Sequence, residues 1–396
     1  MSAPHLPRGF RWAAGKAGLK ASGRPDLALA LAAAPASAAA VFTKNRVVAA
    51  PVVVGREHLK KAGGKMRAVL VNSGNANCAT GPVGEQTCRE VCGALARTLG
   101  VATAEVFPSS TGIIGVPLPG GKITAALSAV ADSAQADEAA LRGFAQAIMT
   151  TDTRPKLASA ACRIGGKKVS LAGVAKGAGM IHPNMATMLA YVFTDVAATP
   201  AELRRALRAA ADQSFNCISV DGDTSTNDTM LLLASGASGA RLARGSKAFG
   251  AALLEVCQSL AEQIVTDGEG VKHVVRLRIE QARDAAEARR VAETIATSSL
   301  VKTAWAGADP NWGRILAAAG RSGVAIDPAR VAIRFGGIAV FEKGRAAPFD
   351  AGTAHRYLSQ PSYDVTVALG RGKASLSFLT CDLTTEYVHI NADYST

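Results

Sequence analysis

The sequence predicts a layered α/β protein, and three observations lead to this prediction. Strand-like and helix-like segments alternate along the 396 residues. Aromatic residues make up only 5% of the chain, so small and branched aliphatic side chains must supply the packing, and 39 glycines supply turns. No linker-like stretch divides the chain, so we expect interlocked lobes rather than separable domains.

The first half of the chain is predicted to be rich in strands. Residues 40–42, 47–54 and 68–71 are strand-like, and the last of these segments runs into the Gly- and Asn-rich cluster NSGNAN, which is typical of a turn. A helix is predicted over 84–99, because a glycine in the C-cap position directly follows it. After this helix, a short apolar run is expected to break into a Ser/Thr/Gly loop at 109–112.

The second half of the chain mixes helices and strands. Thr199 is predicted to be an N-cap, because a proline follows it and Glu202 completes a capping box at the third helical position. Amphipathic spacing predicts two further helices over 247–265 and 282–296. Residues 331–378 alternate between apolar and polar side chains with glycine-rich turns, which predicts strands joined in hairpins.

Composition and charge argue against several classes of protein. No 18 consecutive residues are apolar without Gly, Pro or charge, so we expect no membrane span. The cysteines form no CxxC pair and the histidines do not fall at metal-ligand spacing, so neither a metal site nor a disulfide framework is expected. Of the net charge of +13, most lies in residues 1–65. We interpret this as a basic solvated surface that attracts carboxylate-bearing metabolites, and a polyanion-binding protein is the alternative.

Residues 176–195 carry the candidate for catalytic chemistry. Glycines interrupt the start of this segment, a Pro-Asn turn follows, and Ala186-Thr187 opens the apolar run MLAYVF, which is typical of a buried strand. A hydroxyl at the mouth of such a strand is a candidate nucleophile if a base is adjacent. A freed α-amine, with a pKa of about 7.7–8.0, is one base that a chain can make for itself. A strand-edge or helix-cap role for Thr187 is the structural alternative.

Ten segments, in the expected order, carry a resemblance to a known family. They are GFRWAAGKAGLKASGRPDLAL, VFTKNRVVAAPV, VNSGNANCATG, SSTGIIG, MTTDTRPK, KGAGMIHPNMATML, SFNCISVDGDTSTND, DGEG, KTAWAGADPNWGRILAAAG and YVHINADYST. Together they resemble the glutamate/ornithine N-acetyltransferases of arginine biosynthesis, which cleave themselves into two chains. The resemblance covers nearly the whole chain and begins at Gly9, so we expect no transit peptide and a cytoplasmic protein.

The resemblance implies a specific architecture. The family fold is an α-β-β-α sandwich of sheets covered by helices, with intertwined lobes. Cleavage between Ala186 and Thr187 would give an α chain of residues 1–186 and a β chain of residues 187–396. These chains would remain one functional unit and assemble as an α2β2 heterotetramer, without a cofactor.

The resemblance also implies an activity and its residues. Thr187 would be the nucleophile that takes acetyl from N2-acetyl-L-ornithine and passes it to L-glutamate by ping-pong chemistry; some family members also use acetyl-CoA as donor. Thr111 and Gly112 resemble the oxyanion hole, for which a hydroxyl and a backbone N–H are suitable donors. The implied substrate contacts are Thr153, Lys176, Thr187, Glu269, Asn391 and Thr396. The alternative is a self-processing N-terminal-nucleophile aminopeptidase or amidase, in which water is the acceptor.

Overall fold

The computed structural model describes residues 5–182, 188–242 and 246–393. Within these ranges the strands form an eight-stranded sheet, the large sheet, and a six-stranded sheet, the small sheet. The strands of the large sheet are β1 (Phe10–Gly15), β2 (Leu27–Phe42), β3 (Lys65–Asn75), β4 (Val106–Ile113), β5 (Lys156–Ile164), β6 (Lys167–Lys176), β7 (Leu189–Thr194) and β8 (Thr229–Ala234). Those of the small sheet are β9 (Val274–Ala282), β10 (Ala332–Phe335), β11 (Ile338–Glu342), β12 (Arg345–Ala346), β13 (Ser362–Ala368) and β14 (Ala374–Cys381). The helices are α1 (Ala50–Lys61), α2 (Gly81–Leu99), α3 (Gly120–Asp132), α4 (Glu138–Ala147), α5 (Pro200–Asp212), α6 (Lys247–Thr266), α7 (Ala285–Ala296), α8 (Ser299–Ala306), α9 (Trp312–Gly320), α10 (Ala351–Leu358) and α11 (Thr385–Asp393).

The order of strands in the large sheet interlocks the two halves of the chain. The order is β4-β3-β2-β8-β7-β6-β5, and β1 pairs with β2. Strand β7 lies between β6, to which it is antiparallel, and β8, to which it is parallel. Strand β8 in turn pairs antiparallel with β2. Strands from before residue 183 therefore flank strands from after residue 187, and this confirms the prediction of an α/β protein with intertwined lobes.

Strand β7 shows why the run MLAYVF is apolar throughout. Side chains alternate between the two faces of a strand. Ala190 and Val192 pack into a core with α5 and α6, whereas Tyr191 and Phe193 pack into a second core with α4 on the other face. All six residues of β7 are buried. A central strand with both faces covered needs no polar positions, so the predicted buried strand is confirmed.

Helix α6 is the one helix of the described ranges that is long and apolar enough to cross a membrane, by length and composition alone. Half of this stretch is buried inside the protein. Its apolar side chains, among them Leu253, Leu260 and Ile264, belong to the core between the helix and the large sheet. This packing accounts for the apolar composition of α6.

The small sheet forms the second lobe, beside the large sheet. Strand β9 lies between β13, to which it is parallel, and β14, to which it is antiparallel. Side chains of α7, α8 and α9 complete its core. A β-bridge between Ile218 and Leu379 joins β14 to the chain that leads toward β8. This contact brings the end of the chain close to residues 221–227, which are part of the site described below.

The structure corrects one predicted strand. Residues 47–54 were expected to be extended because of their valines, but residues from Ala50 onward begin helix α1. Pro51 is in the first turn of this helix, where its missing N–H costs no hydrogen bond. Val52 and Val54 are buried against neighbouring elements. Tertiary packing thus overrides the β propensity of the valines.

Two predicted loops are strands. Strand β3 continues to Asn75 through most of the NSGNAN cluster, and β4 continues to Ile113 through Ser109–Gly112. The reason is their parallel pairing, in which Asn72 is opposite Ser110 and Ser73 is opposite Thr111. In the tail, helix α10 interrupts the strands that were predicted over 331–378.

Candidate active site

A cavity of about 170 Å³ lies where the ends of several elements meet. The ends of β4 and β6 contribute to its wall, as do Ala76, which follows β3, and several residues within 150–151, 179–180 and 221–227. Glu269 and helix α11 close it from the side of the small sheet. The cavity therefore contains groups from both lobes and from both sides of residue 187 in the sequence.

Thr111 and Gly112 line this cavity together at the end of β4. Gly112 has a φ of +131°, and a Cβ there would lie 2.4 Å from the carbonyl carbon of Gly74 and 2.5 Å from the nitrogen of Asn75. Only glycine permits this close approach of β4 to β3. The sequence pair that resembles an oxyanion hole thus lies in the wall of the cavity.

Asparagine side chains hold the end of β4 in place. The Nδ2 of Asn227 donates to the carbonyl oxygens of Ala76, at 2.7 Å, and Ser110, at 2.9 Å. The Oγ of Ser110 donates to Oδ1 of Asn72 at 2.6 Å. These buried bonds join the NSGNAN and DTSTND segments to the strand that carries Thr111. The sequence offered these motifs only as a resemblance and did not single out Asn227 as a site residue.

Lys176, the last residue of β6, brings a buried positive charge into the cavity. Its Nζ donates to the Oγ1 of Thr111 at 3.2 Å. Burial lowers the pKa of Lys176, and the negative charges of Asp152 and Glu269 oppose this effect. The structure therefore brings Lys176 and the two candidate oxyanion residues together in one cavity.

Glu269 and Asn391 also line the cavity and are in contact with each other. The Nδ2 of Asn391 donates to Oε2 of Glu269 at 2.8 Å, and the backbone N–H of Glu269 donates to the carbonyl oxygen of Ala178 at 3.1 Å. A Cβ on Gly179 would lie 2.3 Å from Oε2 of Glu269. A glycine at 179 is thus needed for the Glu269 carboxylate to occupy this place.

Asp221 is a lining residue that the sequence did not single out. Its carboxylate accepts the backbone N–H groups of Met180, at 2.5 Å, and Ile181, at 2.9 Å. Burial raises the pKa of Asp221 to about 6, although these hydrogen bonds oppose the effect. Asp223 also lines the cavity. The motif DGDTSTND was the available signal, but its acidic residues resemble those of an ordinary polar turn.

Thr153 lies outside the lining of the cavity among the described residues. Its backbone N–H donates to Oδ2 of Asp267 at 3.1 Å, and its hydroxyl donates to Oδ1 of the same carboxylate. Thr150 and Thr151 of the same segment do line the cavity. The predicted contact of Thr153 with substrate stays a prediction.

Three of the predicted site residues, Ala186, Thr187 and Thr396, lie outside the described residues. The first described range ends at His182, two residues after Met180, which lines the cavity. The next begins at Met188, whose carbonyl oxygen accepts the N–H of Thr229 at 3.0 Å. Within residues 5–182, 188–242 and 246–393, no three His, Cys, Asp or Glu side chains are grouped as metal ligands.

Fold and site together define an α/β enzyme with a polar cavity for a small molecule. A family model described as the ArgJ family matches residues 11–396. The arginine biosynthesis bifunctional protein ArgJ of Methylococcus capsulatus is 48% identical over 396 residues, which cover 98% of this chain and 95% of that protein. The protein of the same name from Thermus thermophilus is 46% identical over 394 residues, which cover 100% of both chains. A crystal structure of the arginine biosynthesis bifunctional protein argJ from Bacillus halodurans is 37% identical, with a TM-score of 0.50, and covers 52% of this chain and 100% of that chain.

The chain therefore belongs to the ArgJ family. It is an acyltransferase of arginine biosynthesis, as the resemblance of the sequence segments implied.

Proposed function

We propose that this protein transfers acetyl from N2-acetyl-L-ornithine to L-glutamate through an acetyl ester of Thr187. In the first half-reaction the Thr187 oxygen attacks the acetyl carbonyl carbon, the amide C–N bond breaks, and the proton of the hydroxyl goes to the departing amine of ornithine. In the second half-reaction the glutamate amine attacks the ester carbonyl carbon, the C–O bond to Thr187 breaks, and a proton of the amine goes to the Thr187 oxygen. The observation that carries this proposal is the convergence of Thr111, Gly112, Lys176 and Glu269 on one cavity.

The wall formed by the end of β4 supports the acyl-transfer chemistry. Each half-reaction passes through a tetrahedral intermediate whose negative oxygen needs preorganised hydrogen-bond donors. The hydroxyl of Thr111 and the N–H of Gly112 are suitable donors. Both are held by the pairing of β4 with β3, so they need little reorganisation when charge develops.

The charges of the cavity support amino-acid substrates. A carboxylate of the substrate finds a partner in the buried ammonium of Lys176. An ammonium group finds partners in the carboxylates of Glu269, Asp221 and Asp223, which all line the cavity. Asn391, bonded to Glu269, is placed to contact the same group. Thr153 and Thr396 complete the proposed contacts.

We propose further that the chain cleaves its own Ala186–Thr187 bond by an N→O acyl shift. Before cleavage, the nitrogen of Thr187 belongs to a planar amide and has no useful basicity. After cleavage it is an α-amine that titrates near neutrality and is able to take the proton of the Thr187 hydroxyl. The Bacillus halodurans chain covers only 52% of this chain, which is the proportion expected for one of two cleavage products.

Cleavage has a direct test in a denaturing gel of the purified protein. We expect two bands, of residues 1–186 and 187–396, and mass spectrometry of the second should give Thr187 as its first residue. Co-expression of the two pieces as separate chains should give an active α2β2 assembly in the cytoplasm. If a version that keeps an initiator Met on Thr187 is equally active, the free amine is not the base.

The acceptor has a separate test. The protein is incubated with N2-acetyl-L-ornithine, with and without L-glutamate, and the products are separated. We expect N-acetylglutamate and ornithine when glutamate is present. Release of free acetate at the same rate in both incubations would show that water is the acceptor, as in an amidase. Acetyl-CoA in place of acetylornithine tests whether this chain has the second donor that its bifunctional relatives suggest.

A further inference from the structure

A buried group of three charges lies directly behind the cavity. The Nζ of Lys156 is 2.6 Å from Oδ1 of Asp152 and 2.6 Å from Oδ2 of Asp267. The side chains of Lys156 and Asp152 are completely buried, and that of Asp267 is nearly so. Burying such charges costs free energy that their attraction does not reliably return. Stability alone is therefore a poor explanation for this arrangement.

Asp152 connects this group to two parts of the cavity wall. Its Oδ2 accepts the backbone N–H of Thr150 at 3.0 Å, and its Oδ1 accepts the N–H of Gly177 at 2.6 Å. Thr150 lines the cavity, and Gly177 directly follows the lining residue Lys176. Asp152 thus holds the backbone at a residue of the cavity wall and at the residue that follows Lys176.

The ammonium of Lys176 has a specific target in the cavity. It donates to Oγ1 of Thr111 at 3.2 Å. A hydroxyl oxygen that accepts a hydrogen bond keeps its own proton available for donation to a second acceptor. A positive donor behind the hydroxyl also polarises it, which strengthens the outgoing hydrogen bond in a buried site.

We propose that Asp152 is a positioning residue that keeps Lys176 charged and directed at Thr111, and that Lys156 positions Asp152, so that the Thr111 hydroxyl donates a hydrogen bond to the oxyanion of the transition state. This proposal rests on the acetyl transfer proposed above. No proton is transferred between these groups: Lys176 remains an ammonium and Thr111 remains a hydroxyl. The chain of donors is Lys176 to Thr111 to the oxyanion.

The surrounding charges give the two positioning residues opposite effects on Lys176. The titratable groups that act most strongly on Lys176 are Asp152, Lys156, Asp228 and Glu269, and Lys20 also faces it. Burial raises the pKa of Asp228 well above its usual value, so Asp228 contributes less negative charge than Asp152. Burial lowers the pKa of Lys176, the carboxylate of Asp152 raises it, and Lys156 lowers it further. Removing the charge of Asp152 should therefore let Lys176 lose its proton at lower pH, and removing the charge of Lys156 should have the opposite effect.

The test is the pH dependence of kcat/KM for acetyl transfer from N2-acetylornithine to glutamate. Activity should fall at high pH as Lys176 deprotonates. In Asp152→Asn we expect this basic limb to move to lower pH by roughly one unit or more, the usual effect of losing an adjacent opposite charge. Asp267→Asn is the matched control, because it removes a carboxylate from Lys156, whereas Asp267 is not one of the strongest electrostatic influences on Lys176. Its basic limb should move less than that of Asp152→Asn.

Lys156→Met is an independent variant for which we expect the opposite shift, because removing this positive charge should move the basic limb to higher pH. If one of these variants fails to fold or is too slow for a profile, the other decides. Equal shifts in Asp152→Asn and Asp267→Asn, or an unmoved limb in Asp152→Asn or Lys156→Met, would overturn the positioning role. Absence of transfer in the unaltered protein would instead contradict the proposed function.

Discussion

Gly112 offers a sharp test of the candidate oxyanion hole, through substitution by alanine. The added Cβ would lie 2.4 Å from the carbonyl carbon of Gly74, 2.5 Å from the nitrogen of Asn75 and 2.8 Å from the Cα of Gly74. All three are backbone atoms, which a rotamer change cannot move. Since φ is +131°, the alanine would also be in a conformation that L residues rarely adopt. Either β3 or β4 must therefore shift.

The expected loss follows from the displaced N–H group. Removal of one oxyanion donor lowers kcat by roughly 10² to 10³, and we expect a loss of at least this size in Gly112→Ala. Strained backbone of this kind costs on the order of 1–3 kcal/mol of stability. Steady-state kinetics with N2-acetylornithine and glutamate measures the first effect, and thermal unfolding measures the second.

Gly115→Ala is the matched control, two residues beyond the end of β4. Gly115 also has a positive φ, of +84°, but no atom of the described residues lies within 4 Å of where its Cβ would be. It should share the backbone strain without the clash, so stability should fall while kcat stays near that of the unaltered protein. A Gly112→Ala protein with unaltered kcat would refute the assignment. An equal loss of kcat in both variants would mean that the backbone conformation at the end of β4, not the N–H of Gly112, is what catalysis requires.

Three further predictions concern the nucleophile, the substrate-binding carboxylate and pH. Thr187→Ala should abolish both self-cleavage and transfer, whereas Thr187→Ser should retain part of each; transfer by the alanine variant in the product assay would remove Thr187 as nucleophile. Gly179→Ala should displace the carboxylate of Glu269 and raise KM more than it lowers kcat, while Gly121→Ala, which meets no described atom within 4 Å, leaves KM unchanged. Because burial raises the pKa of Asp221 from 3.8 to about 6, the stability from this group is present below about pH 4 and is lost as pH rises through 6. The unfolding free energy of the unaltered protein relative to Asp221→Asn should therefore fall by roughly 3 kcal/mol between pH 4 and 7, at 1.36 kcal/mol per pKa unit; a constant difference would contradict this reasoning.

Local signals in the sequence predicted those elements whose cause is local. The capping box of Thr199 and Glu202 is present at the start of α5, where each side chain bonds to the backbone of the other residue. The run MLAYVF predicted β7, since a strand covered on both faces needs apolar residues at every position. Gly100 adopts a left-handed conformation after α2, as its C-cap position predicted.

Long-range pairing determined what the local signals missed. Ser109–Gly112 looks like a loop by composition, yet it is a strand because β3 supplies its hydrogen-bond partners. Lys156 and Asp267 are 111 residues apart in sequence, and only the folded chain brings the Asp267 carboxylate to 2.6 Å from the Lys156 ammonium. Asn227 gave no signal of its own, because its role is to bond two segments that are distant in sequence. The role proposed for Thr187 came from family resemblance, since spacing alone favoured a strand-edge or helix-cap threonine.

The place of β7 between β6 and β8 has a consequence for how the protein unfolds. A break in the chain between His182 and Met188 leaves every strand pair of the large sheet intact, because β6 and β7 are joined by their own ladder of hydrogen bonds. Such a nick converts unfolding from the opening of one chain into the dissociation of two. The melting temperature of the nicked protein should then rise with protein concentration, as it does for any obligate complex. The two pieces would behave as a permanent heterodimer whose interface is the hydrophobic core itself.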